Sequence, residues 1–275
     1  MVRLFEGEEV QEVQEVQKVQ KVQEVQKVQE VQDTKKKGKV SMFSQFDCIM
    51  SLGSSCAPKR YIDHYIAASE TNVFDYIGTQ RMWSINSLLE NRWDSIADPD
   101  LMQRLHFHTF HIFNMKPHFV TNTRYYIQFA HDANRIDDVK KEEFQAKIKR
   151  RTDRFDAKMR EAKRILCIRQ KGDISSESRR KYNRQIIDSL NVGKPTEEEA
   201  MNQFIPLVKS IYGCPSVTMI YLNDEQDGWN EDKTILSVKC DINMNYNTSH
   251  TVIDTIFKEK NVYELINEAP DNVLH

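Results

Sequence analysis

The chain has 275 residues, and its 39 basic and 41 acidic side chains leave a formal charge of −2, so no global field recommends nucleic acid or an anionic membrane as a partner. No stretch approaches the roughly 20 apolar residues a membrane helix needs, and the N-terminus lacks a basic segment followed by an apolar signal core. Five cysteines, at positions 48, 56, 167, 214 and 240, form no CxxC pair, and their odd number argues against a disulfide framework, so a reducing, cytoplasmic setting is expected.

The first 40 residues differ in composition from the rest. Val10 to Asp33 consists of eight consecutive triplets, Val-Gln followed by Glu, Lys or finally Asp. On an α-helix a period of three moves each Val about 60° backwards around the axis, so the valines spiral instead of forming a stripe. On a strand they would alternate faces. The repeat is read as a solvated low-complexity tail, with a partner-binding helix as the alternative. Lys35, Lys36, Lys37, Gly38 and Lys39 read as its linker. Residues 1–40 are therefore assigned to tail and linker, and 41–275 to one folded domain of ordinary size.

From Phe46 onward short β-like runs alternate with amphipathic helical stretches, the pattern of a single α/β domain with a central mixed sheet flanked by helices. Strands are expected over 47–52, 124–130, 165–169, 217–222 and 234–239. Ile49, Met50 and Leu52 suit a short buried strand, Gly53 permits a tight turn, and 57–66 carries apolar residues at helical spacing. Trp83, Ile85, Leu88 and Leu89 mark another helix. A long helix over about 139–163 keeps Phe144, Ile148, Phe155, Met159 and Ala162 on one face, while Lys147, Lys149, Arg150, Arg151 and Arg154 crowd the others. Two more helices are expected over 177–190 and 196–211.

The strand, turn and helix around Gly53 deliver Cys56 to a helix start, where unsatisfied backbone N–H groups and the positive dipole end favour a thiolate. A cysteine enzyme also needs an imidazole to take the thiol proton and return it. Of eight histidines, His131 stands out because it ends the apolar run 125–130, where a strand end would hold it at the rim of a sheet. Asp132 follows directly, but neighbours on a strand point to opposite faces, so it is poorly placed to orient that ring. His106, His108 and His111 have no Asp, Glu or Cys at ligand spacing, and the interleaved Phe107, Phe110 and Phe113 read as core, so no metal is expected. Glu142, Glu143, Asp153 and Asp156 interrupt the basic helix face, so nucleic acid is not expected. The segment from Arg169 to Asp173 follows a strand end, where open α/β sheets place their sites, and reads as a pocket wall. The absence of Walker, GxGxxG and GxSxG patterns disfavours nucleotide cofactors and serine hydrolysis.

Several short motifs occur together and in order: SLGSSC over 51–56, VFDY over 73–76, FAHD over 129–132, Arg150 and Arg151 with Arg154 and Phe155, and ILCIR over 165–169. This series resembles the papain-like cysteine peptidase family found in bacteria and large DNA viruses. The resemblance is closest over roughly 46–170. It implies Cys56 as nucleophile and His131 as general base, with Asp75 of the Phe-Asp-aromatic motif orienting a partner or bracing the site. Ser55 stands where the family often has Asn, and Val73 where it often has Pro. Met50 occupies the position, six residues before the nucleophile, where papain-type enzymes carry an oxyanion-hole Gln, so backbone N–H groups of the turn would have to serve instead.

The resulting expectation is a Cys-His hydrolase or acyl transferase acting on an unidentified peptide or acyl substrate, without cofactor, metal or membrane. Two alternatives stand beside it. One is a non-enzymatic interaction protein using the repeat tail and the basic helix; the other is a transferase that holds an anionic donor at the strand end near Arg169 and Lys171.

Overall fold

The computed structural model describes residues 43–66, 70–106, 118–172, 189, 191–213, 216–241 and 248–268, and all structural statements refer to these. The repeat tail and linker, nearly all of the helix expected over 177–190, and His108, His111, His275 and Cys214 lie outside them.

Strand β1 (Cys48–Ser51) leads through a turn into α1 (Ala57–Tyr61), which continues as a π-helix over Ile62–Ile66. There follow β2 (Gly78–Thr79), α2 (Met82–Glu90), β3 (Met102–His106), β4 (His118–Asn122), β5 (Ile127–Gln128), α3 (Ile136–Val139) and α4 (Glu142–Glu161). The remainder contributes β6 (Arg164–Gln170), α5 (Glu197–Tyr212), β7 (Ser216–Asn223), β8 (Gly228–Trp229), β9 (Ile235–Lys239), α6 (Ser249–Glu259) and α7 (Val262–Asn267).

The main sheet has the order β1-β6-β7-β9-β8. Its first four strands are parallel and β8 runs antiparallel to β9, so the expected mixed sheet within an α/β fold is present. Central parallel strands are buried on both faces and therefore read as unbroken apolar runs. On β6, Ile165 and Cys167 join one core with residues of α2, α4 and α5. Leu166 and Ile168 point the other way, into a second core with α1, α6 and α7. A smaller antiparallel sheet, β2-β5-β4-β3, shares the first core through Val120 and Ile127, which pack with Phe144 and Phe155 of α4.

Three expectations are corrected. The strand expected over 124–130 is confined to Ile127–Gln128, because the Asn122 side chain accepts from the N–H groups of Arg124 (3.0 Å) and Tyr125 (3.2 Å) and closes a turn there. Tyr126 takes a φ of 53° in that turn. The long helix is split at its start: the Asp138 carboxylate accepts from the N–H groups of Asn134 and Arg135, both at 3.0 Å, and so starts a short α3, while α4 begins separately at Glu142. The helix over 57–66 is α-helical for its first five residues only, then π-helical.

Candidate active site

The β1–β6 ladder continues past the end of β1 and shapes the turn that follows. Leu52 donates its N–H to Ile168 O (2.9 Å), Gln170 donates to Gly53 O (2.8 Å), and Ser54 donates to Gln170 O (3.3 Å). Gly53 has φ +77°, and a Cβ there would stand 2.4 Å from Thr79 Oγ1, so only glycine fits both the conformation and the space. Thr79 Oγ1 donates to Leu52 O at 3.0 Å, which fastens the turn to β2.

Arg169 lies beneath this turn, fully buried. Its guanidinium donates to Leu52 O (2.9 Å), Thr79 Oγ1 (3.2 Å), Thr79 O (3.1 Å) and Glu197 Oε1 (2.8 Å). Those contacts commit it to joining β1, β2 and the start of α5, which removes it as the anion-binding group of a transferase. Lys171, the other residue of that alternative, pairs with Asp224 and Glu225.

Cys56 follows the Ser54 and Ser55 bend at the N-cap position of α1, with φ −80° and ψ −2°, and is half-buried. Its sulfur makes no capping hydrogen bond. The local sequence accounts for half of this: an N-cap side chain accepts from the second or third helical N–H, and the second residue of α1 is Pro58, which has none. Ser55 works beside it as a polar clip. Its Oγ accepts the Ala57 N–H at 3.2 Å and donates to Gln170 Oε1 at 2.7 Å.

Asp75 is buried and accepts from Asn72 N (2.7 Å) and Asn72 Nδ2 (2.9 Å). The ammonium of Lys59, itself buried, lies 3.7 Å from Asp75 and 2.8 Å from Asp63. Burial pushes the Asp75 carboxyl up to about 6 despite the opposing pull of Lys59 and the Asn72 N–H. The carboxylate thus braces the 72–76 turn against α1. His131 is exposed in the turn after β5, and its ring meets Tyr76 edge-on at 5.6 Å. The Arg151 guanidinium also lies over the Tyr76 ring, at 5.8 Å. Asp132, as expected, faces elsewhere: it binds Arg151 (2.6 Å) and Lys147 (3.4 Å) of α4.

The segment 72–80 is the piece the two site residues share. A Cβ on Gly53 would touch Phe74 O (3.7 Å) and Ile77 O (3.5 Å), so the backbone of the Cys56 turn lies against this segment. Asp75 ties it to α1, and Tyr76 carries the His131 ring. Sequence reasoning did not single out Lys59, whose burial on a short helix has no signature in pattern. Gln170 fell within the strand-end segment already marked as a pocket wall, and its position directly after ILCIR is the signal that finds it. Two other imidazoles, those of His64 in the π-helix and His250 in α6, meet at a tilt of 55° with centroids 4.6 Å apart; burial, then His64 and Arg60, hold His250 below its ordinary value.

Among the described residues no group of three or more His, Cys, Asp or Glu side chains is arranged to hold a metal ion, and no helix is long and apolar enough to cross a membrane. The family described as "Putative papain-like cysteine peptidase" matches residues 47–191. Neither the curated proteins nor the solved structures contain a match to the chain.

Proposed function

Because the chain belongs to that papain-like cysteine peptidase family, its matched stretch running from β1 past the Cys56 and His131 turns and through β6, we propose that it is a Cys-His hydrolase or acyl transferase with Cys56 as nucleophile and His131 as general base. The observation that carries this reading is the shared segment 72–80, against which the Cys56 turn packs and on whose Tyr76 the His131 ring rests. The thiol proton passes to the imidazole as sulfur attacks a peptide, isopeptide or ester carbonyl and forms a C–S bond. The imidazolium then protonates the departing amine or alcohol as its bond to carbon breaks. Water cleaves the thioester and restores the thiol. Asp75, whose partners are Asn72 and Lys59, supports the segment that presents Tyr76 and so acts as a brace.

The test is alkylation by iodoacetamide at pH 7, mapped by peptide mass spectrometry. Cys56 should react first, and Cys56→Ala should remove that fast phase. Cys167 and Cys240 are buried, and burial together with the Asp241 and Asp224 carboxylates pushes the Cys240 thiol up to about 12, so both should react slowly. Faster alkylation of Cys48, Cys167 or Cys240 would overturn the assignment. His131→Ala should lower the Cys56 rate at neutral pH and less so at pH 9, where hydroxide replaces the base.

A further inference from the structure

The helical arm that starts at Cys56, α1 and the π-helix after it, meets α6 through three rings. His64 and His250 have centroids 4.6 Å apart at a tilt of 55°, and Tyr65 meets His64 at 4.7 Å and His250 at 6.2 Å. The same two elements share the second core, where Tyr61 meets Phe257 edge-on at 5.1 Å and its hydroxyl lies 2.7 Å from that of Tyr263 in α7. We propose that His64 and His250 form an acid-sensitive clasp between this arm and α6, closed while His250 is neutral and opened when His250 takes up a proton. The clasp requires no chemistry at Cys56.

A neutral imidazole carries one N–H and one lone pair, whereas an imidazolium carries two N–H groups. His250 Nδ1 is buried and has no hydrogen-bond partner among the described residues. The neutral ring can leave a lone pair there at small cost, but the imidazolium would bury an N–H without an acceptor. His250 is also the second residue of α6, where the positive end of the helix dipole opposes a cation. The neighbouring charges act the same way, since after burial His64 of the π-helix and Arg60 of α1 hold His250 below its ordinary value. The nearby carboxylates are engaged elsewhere. Asp63 of the π-helix pairs with Lys59 at 2.8 Å. Asp254, one turn further along α6, accepts from Lys258 at 2.7 Å with one oxygen and from Tyr263 at 3.0 Å with the other. A proton on His250 therefore sets a cation against His64 and Arg60, and separating α6 from the arm relieves it. The contribution of His250 to holding these elements together is complete above its ordinary value of 6.5 and is lost as pH falls through its lowered folded value.

Amide hydrogen exchange of the full chain, read by peptide mass spectrometry at pH 7.5 and pH 5 and corrected for the intrinsic rate at each pH, tests this. Protection over α6 should fall about fivefold or more on acidification, while peptides of β6 and β7 stay within about twofold, because local opening leaves the rest of the fold closed. His250→Gln, which has no ring to protonate, should hold α6 protection within about twofold between the two pH values. His64→Gln should show a smaller fall than wild type, since Arg60 and the buried Nδ1 remain. An unchanged α6 in wild type overturns the clasp, as does a fall matched in β6 and β7 or an equal fall in His250→Gln. Should His250→Gln fail to fold, His64→Gln decides: a fall as large as that of wild type overturns the pairing, and a reduced one supports it.

Discussion

Asp75 shows at the scale of one residue how a buried carboxylate leaves a pH signature. Its ordinary value is 3.8 and its folded value is about 6, so between these limits the folded protein holds a proton that the unfolded chain has released. The stability this provides is complete below 3.8 and is lost as pH rises through about 6. Asp75→Asn removes the titration. The unfolding free energy of wild type minus that of the variant, measured in urea, should rise by about 1 kcal/mol on going from pH 7 to pH 5. A fall in that difference on acidification would show that the Lys59 ammonium, not burial, governs the carboxyl. Cys240 lies at the opposite extreme, a thiol whose surroundings suppress its ionisation, and it serves as an internal standard for the reactivity expected of Cys56.

Among the elements, β6 does the most, since it supplies both Arg169 and Gln170 to the turn after β1. Replacing Arg169 with Ala takes the guanidinium donor from the Glu197 carboxylate and from the carbonyls of Leu52 and Thr79, leaving Glu197 only the Met82 N–H and Leu52 O only the Thr79 hydroxyl. Breaking a buried pair from one side costs about 3–5 kcal/mol, and urea unfolding should register a loss of that size. A change below about 1 kcal/mol would show that Arg169 is not a strut. The sequence made β6, β7 and β9 readable because strands buried on two faces are written as plain apolar runs. It misled at 124–130, where Tyr125 and Tyr126 extend an apolar run whose geometry is decided by the Asn122 side chain. Helix α6 was within reach, since Val252, Ile253, Ile256 and Phe257 repeat at helical spacing. The location of Cys56 on a strand-to-helix turn was legible from Gly53 and the flanking periodicities. The committed state of Arg169 was not, because four acceptors from three separate elements converge on it only after folding.

For the whole molecule, a first core that includes both sheets and a second beneath α1, α6 and α7 make the described residues a closed set of packed layers. On that basis removal of residues 1–40 should leave the melting temperature within about 2 °C of the full chain, a shift equivalent to about 0.5–1 kcal/mol. A fall of more than about 5 °C would place part of the tail inside the cooperative unit. The cations of α4 are largely spent at home, on Asp132, Asp153, Asp156 and Glu70, which leaves that helix a modest electrostatic reach. The position of β1 has a mechanical consequence. It ends the sheet and is hydrogen-bonded within it to β6 alone, so the Cys56 turn hangs from the β6 seam and from the Thr79 hydroxyl of β2. Opening both would release Leu52, Ser54 and Ser55 together while β6, β7 and β9 stay zipped, which makes this corner the place where the protein can loosen a turn without loosening its fold.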